Sequence, residues 1–179
     1  ADPVDLDPQS PLVRRLAYDE LLAGQLAISL VRRRMRRHAG ISMPSSRQFT
    51  DALRAALPFQ LTTSQETAIA EISGDMASPE KMIRLLQGDV GSGKTVVALM
   101  AMAQAAENGF QSALMAPTEV LARQHFAAIE PVARTAGMRL AILTGREKGK
   151  ERQPILDGLA NGSIHAVVGT HALFQEAVA

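Results

Sequence analysis

The sequence has no cysteine, no tryptophan, a single tyrosine and only 3% aromatic residues in 179 positions. Without thiols there is neither a disulfide framework nor a thiolate zinc site, which fits a reducing, cytoplasmic setting. With so few rings, the core has to be assembled from Leu, Ile, Val, Met and Ala. No run approaches the roughly 20 apolar residues that a membrane span needs, so no membrane partner is expected. The opening Ala1-Asp2-Pro3-Val4-Asp5 lacks the basic and apolar regions of a signal peptide, and it lacks an initiator Met. It reads as a piece of a longer chain or a processed product. Excess charge is missing as well. The net charge of +1 says nothing about nucleic acid, although Arg32, Arg33, Arg34, Arg36, Arg37 and His38 crowd into one run. Such a run reads first as a solvated helix face and second as a phosphate contact. What is present in ordinary amounts, 46% hydrophobic and 21% charged residues, suffices for a globular core.

Residues 1–11 mix acids with Pro and Ser and read as an extended linker. From Pro11 to about His38 the pattern turns helical, with Leu22, Leu26 and Leu30 spaced by four and Leu21, Ile28 and Met35 by seven. Gly40 and the Ser42–Ser46 loop stop it, and a shorter helix is predicted over 47–56 ahead of Pro58. From Phe59 the rhythm changes. A helix over 63–73, capped by Thr62 or Thr63 with Glu66 following, precedes four short apolar runs at 82–86, 112–116, 140–143 and 166–168. Helical segments at 94–108, 119–135 and 151–160 alternate with them. Gly109, Gly137 and Gly162 stand at C-cap positions. Pro131 and Pro154 are expected to break or kink their helices or to open a first turn. Strands alternating with helices predict an α/β fold, a parallel sheet with helices on both faces and ligands at the carboxyl ends of its strands.

Gly88-Asp89-Val90-Gly91-Ser92-Gly93-Lys94-Thr95 matches the P-loop pattern in full. A loop that wraps phosphate must turn its N–H groups inward, and glycines permit that without side chains in the way. Lys94 brings a positive charge for the β- and γ-phosphates, and Thr95 offers a hydroxyl to Mg²⁺. The helix that follows aims its N-terminal dipole at the anion. ATP and Mg²⁺ are therefore the expected cofactors, held by Gly88, Gly91, Ser92, Gly93, Lys94 and Thr95. Later runs end in Thr118, in Thr144-Gly145 and in Thr170-His171. Each alone reads as a helix cap or turn. Their recurrence at three strand ends suits a second polyanion along the sheet edge.

With those residues in view, the chain resembles the superfamily 2 helicases, and most nearly the RecG-type branched-DNA helicases. Arg15–Leu22 with Gln25-Leu26-Ala27 resembles their helical connector. Leu57–Thr62 with Gln65 resembles the segment before the P-loop, in which a Gln reads adenine. Gly88–Thr95 resembles motif I, and Ala116–Glu119 with Gln124-His125 resembles motif Ia. Thr144-Gly145 with Lys148-Gly149-Lys150-Glu151-Arg152 is similar to the next family segment, and Val168–Leu173 with Gln175-Glu176 to motif Ic. The resemblance implies a linker and connector over 1–57 and the front of a RecA-like P-loop motor domain, left incomplete, over 58–179. It also implies DNA-backbone contacts from Thr118, Thr144, Gly145, Thr170 and His171. The expected partners are branched or forked DNA and the remaining helicase domains of a parent chain, in DNA repair and recombination.

The family's acidic motif II and its second motor lobe are not in these 179 residues, so this piece is expected to bind nucleotide without hydrolysing it efficiently. Three other readings compete: a nucleotide-gated binding module without motor activity, the motor of a related double-stranded DNA translocase, and a nucleic-acid or partner-docking role for the Arg32–Arg37 helix alone.

Overall fold

A computed structural model describes residues 10–36, 39–146 and 151–174. The linker over 1–9, Arg37, His38, the side chains of residues 32–36, the Lys148-Gly149-Lys150 segment and Gln175-Glu176 lie outside the described residues. The helices are α1 (Pro11–Arg36), α2 (Gln48–Ala56), α3 (Thr63–Ala77), α4 (Lys94–Glu107), α5 (Glu119–Thr135) and α6 (Arg152–Ala160). The strands are β1 (Ser112–Met115), β2 (Leu140–Leu143) and β3 (Ala166–Gly169), followed by one 3-10 turn over His171–Phe174.

The three strands form a parallel sheet in the order β1-β3-β2. The register aligns Met115 and Leu143 with Gly169, so all three strands end at one level. Side chains alternate along a strand. Ala166 and Val168 therefore face a core of Leu53, Leu99, Met100, Ala103, Ala122 and Ile129 from α2, α4 and α5. Val167 faces the other way, where Leu143 and Leu173 pack with Ile155, Leu156 and Leu159 of α6. The sheet is thus covered on both faces. Gly169 is a glycine because a Cβ there would run into the carbonyl oxygen of Leu143.

One expected strand did not form. The run 82–86 is neither helix nor strand and has no ladder partner among the described residues, with Ile83 61% and Leu85 82% exposed. Apolar, β-branched composition suits a residue to a strand, but a strand also needs a neighbour to take its N–H and C=O groups. Two smaller expectations also change. α5 runs through Pro131 to Thr135 without ending there, while Pro154 sits in the first turn of α6, where its missing N–H costs nothing. The cap of α3 is Thr62, and its reciprocal partner is Gln65, not Glu66. Glu66 pairs instead with Arg54, whose hydrogen bond keeps its carboxyl below the ordinary glutamate range.

Besides Leu53 in the core, α2 is fastened at its first turn by one carboxylate of α4. Glu107, the last residue of α4, accepts from the Ser45 hydroxyl at 2.9 Å and from the Ser46 and Arg47 N–H groups at 2.8 and 3.2 Å. Its other oxygen accepts from the Phe49 N–H, the Thr50 N–H and the Thr50 hydroxyl at 2.9, 2.9 and 3.0 Å. Burial pushes this carboxyl up, but the donors of Thr50, Ser45 and Arg47 outweigh it and hold Glu107 below its ordinary value. Upstream, Gly40 N–H donates to Pro79 O at 2.8 Å, Met43 N–H to Met76 O at 2.8 Å and the Ser42 hydroxyl to Ala77 O at 2.6 Å. The buried Gln104 amide adds bonds to Met43 O at 2.7 Å and Ser73 O at 3.2 Å.

Candidate functional site

The P-loop runs from the extended 81–87 segment into α4. Gly91 and Gly93 lie at φ 83° and 82°, in the left-handed region that side-chain-bearing residues avoid. Gly93 is the N-cap of α4 and offers no side-chain cap. Among the described residues, the backbone N–H groups of Gly91, Gly93, Lys94 and Thr95 have no hydrogen-bond acceptor. The Lys94 ammonium curls over the loop, donating to the carbonyls of Gly88 at 2.6 Å and Asp89 at 2.7 Å. The loop thus sets backbone donors beside a cation, which is the donor set that phosphate oxygens require. A Cβ at Gly88 would sit 2.8 Å from the Ser92 hydroxyl, and one at Gly93 would strike the Gln65 amide. The residues therefore fit a nucleotide phosphate, and the Thr95 hydroxyl at the start of α4 fits a Mg²⁺ beside it.

Gln65 holds the loop from the α3 side. Its Oε1 accepts the Thr62 N–H at 2.9 Å, and its Nε2 donates to the Ser92 carbonyl at 2.9 Å. Between α3 and the loop lies a cavity of about 340 Å³, bordered by Thr62, Gln65, Leu86, Gln87, Ser92 and Lys94. A larger groove of about 570 Å³ between α2, α3 and α4 is bordered by Arg47, Asp51, Arg54 and Glu66. It offers charges of both signs and no cradle of backbone donors, so the smaller cavity is the chemically informative one.

The other five expected site residues stand together at the level where the strands end. Thr118, exposed, caps α5 by accepting the Leu121 N–H at 3.3 Å. Thr144 follows β2 and is fully buried, its hydroxyl donating to Glu119 at 3.1 Å. Gly145 is exposed. Thr170 follows β3 and is 5% exposed, while His171 is exposed. At this edge Thr118, Gly145 and His171 are open to a ligand, and the two buried threonines shape the loops from beneath.

Several participants were not singled out from the sequence. Arg123 and Arg146 both pair with Glu119, at 3.3 and 2.9 Å, and bring positive charge to the strand-end loops. Glu107 was missed because its donors lie 57 to 62 residues away. Its one signal was an acid in the last turn of a helix, where the dipole disfavours it. His125 entered only as part of a quoted motif, and its Nδ1 lies 3.2 Å from the Thr95 hydroxyl.

Residues 62–178 match the family model described as DEAD/DEAH box helicase. The chain is 44% identical over 164 residues to the ATP-dependent DNA helicase RecG of Thermotoga maritima, an alignment covering 92% of this chain and 21% of that protein. Against the proteins of the same name from Streptococcus pneumoniae and Bacillus subtilis the identities are 42% and 44%, covering 93% and 92% of this chain and 25% and 24% of theirs. A solved structure of RecG bound to a three-way DNA junction superimposes with a TM-score of 0.79 at 43% identity, over 92% of this chain and 23% of that one. The chain therefore spans between a fifth and a quarter of the length of these relatives.

Proposed function

The chain belongs to the DEAD/DEAH box helicases, and from that premise we propose that it forms the nucleotide-gripping front of the first motor lobe of an ATP-dependent DNA helicase. The substrate class we assign is branched DNA, such as stalled forks and recombination intermediates. The names of the similar proteins and the junction-bound structure support this reading. The fold is the RecA-like α/β arrangement, and no described helix is long and apolar enough to cross a membrane.

The observation that carries the reading is the open N-terminus of α4, a glycine N-cap with N–H groups unpartnered among the described residues, beside the Lys94 ammonium. In this proposal Lys94 leaves the carbonyls of Gly88 and Asp89 for the phosphates, and Thr95 faces Mg²⁺. Gln65 borders the cavity from which adenine is read. Bound ATP supplies the phosphoryl chemistry, and this chain's residues bind and orient it. Thr118, Gly145 and His171 contact the DNA backbone, with Thr144 and Thr170 setting the loops' shape. Such contacts position a strand without reading its sequence. Residues 1–57 serve as the connector, with α1 directed to domains outside this chain and α2 its foothold on the motor, and residues 58–179 as the motor portion. The setting is cytoplasmic DNA repair and recombination.

Calorimetric titration with Mg-ADP and Mg-ATP, beside Lys94→Ala, tests the nucleotide site. Binding that the substitution weakens supports it, and folded material without binding sinks it. Forked-DNA unwinding by the intact protein, compared with linear duplex, tests the substrate class.

A further inference from the structure

α5 sends one side chain back to the phosphate loop. Ala122, Ile129 and Ala133 are buried and fix which face of the helix meets the core. His125 shares that face at the three- and four-residue spacing. It is half-buried, and its Nδ1 lies 3.2 Å from Oγ1 of Thr95, which is 30 residues earlier in the chain. The contact is therefore aimed by core packing and not by a free surface rotamer.

A threonine hydroxyl has one proton and two lone pairs. When its oxygen faces a divalent cation, the lone pairs are needed on the cation side and the proton must point elsewhere, toward an acceptor. An imidazole carrying its proton on Nε2 presents Nδ1 as an acceptor, whereas a protonated Nδ1 would compete with the cation for the same oxygen. We propose that His125 is a positioning residue for Thr95: its Nδ1 accepts the Thr95 O–H and so turns the hydroxyl oxygen toward the Mg²⁺ of a bound nucleotide. The proposal rests on the nucleotide reading above. It adds that α5, whose cap Thr118 and first residue Glu119 stand at the strand-end loops, also touches the metal side of the nucleotide site.

The test is titration of ADP into the intact protein, with Mg²⁺ and with the metal chelated, for wild type, His125→Ala, His125→Asn and Lys94→Ala. Removing an outer partner of a metal ligand costs on the order of tenfold in metal affinity. His125→Ala should weaken ADP binding by about that factor in Mg²⁺, raise the half-saturating Mg²⁺ concentration to match, and leave metal-free ADP affinity in place. Asparagine sets a polar atom near the place of Nδ1 and should restore most of the loss. In the Mg-ADP complex the ¹⁵N spectrum should show Nδ1 of His125 unprotonated. Equal loss with and without Mg²⁺, no loss at all, or a protonated Nδ1 would overturn the proposal while leaving the nucleotide site standing. Wild type that does not bind ADP, or binding indifferent to Lys94→Ala, removes the nucleotide reading and this proposal with it. If His125→Ala fails to fold, the asparagine variant and the ¹⁵N signature decide.

Discussion

The first turns of α2 and α4 pose the same physical problem and receive opposite solutions. Every helix begins with N–H groups that have no acceptor within the helix. At α2 neither the N-cap residue nor its side chain helps, since Arg47 sits at φ 65° and makes no cap bond. The acceptor is the Glu107 carboxylate, supplied by a distant part of the same chain. At α4 the N-cap is a glycine, and nothing in the described chain fills the role. Both are anion sites by geometry. One is closed by a residue of the chain, and the other is left open among the described residues. A helix N-terminus becomes a ligand site when the protein withholds its own acceptor.

Glu107→Ala is the most severe way to break that comparison. It strands several donors of α2 at once and should cost about 2 to 4 kcal/mol of stability, read as a lower urea midpoint. The nucleotide affinity of the folded protein should not change. If affinity falls in step with stability, the two helix ends are coupled and the contrast fails. The same residue makes a pH prediction. Its folded pKa is depressed, so its contribution is fully present above the ordinary glutamate value of 4.5 and is lost as pH falls through the lower folded value. The stability gap between wild type and Glu107→Gln should therefore be flat above about pH 5 and close below pH 4.5.

Lys94→Ala probes the open end. It should weaken Mg-ADP by at least about tenfold, or 1.4 kcal/mol, while the urea midpoint stays near wild type. Its ammonium bonds to the exposed loop carbonyls of Gly88 and Asp89. Gly93→Ala forces a side chain into the left-handed region and against Gln65, and should cost about 1 to 2 kcal/mol in thermal stability. Adding Gln65→Ala should recover part of that loss. The smallest effect has the opposite sign. Arg47→Gly relieves a left-handed backbone at the closed end and should add no more than about 1 kcal/mol of stability, read as a higher melting midpoint.

What the sequence made legible follows from how local each signal is. The P-loop, the Thr62 and Thr118 caps and the glycine stops after α4, α5 and α6 are written within a few adjacent residues, and the elements appear where those residues put them. The 82–86 run was misjudged because apolar composition is local and pairing is not. The closed end of α2 was invisible for the same reason, since its acceptor lies on the far side of α3 and the P-loop in sequence. The strand-end residues were gathered correctly to one edge, yet sequence could not tell that Thr144 and Thr170 would turn inward while Gly145 and His171 stay out.

The 15 residues of α3 make a rod about 22 Å long. Its far end is where the Gly40–Met43 segment fastens, through the carbonyls of Met76, Ala77 and Pro79. Its near end grips the phosphate loop through Gln65 and Ser92. A Cβ at Gly40 would come within 2.6 Å of the Glu80 backbone, so the fastening leaves no slack at that point. The Gly40–Met43 segment and the phosphate loop are thus fastened to the two ends of one stiff helix.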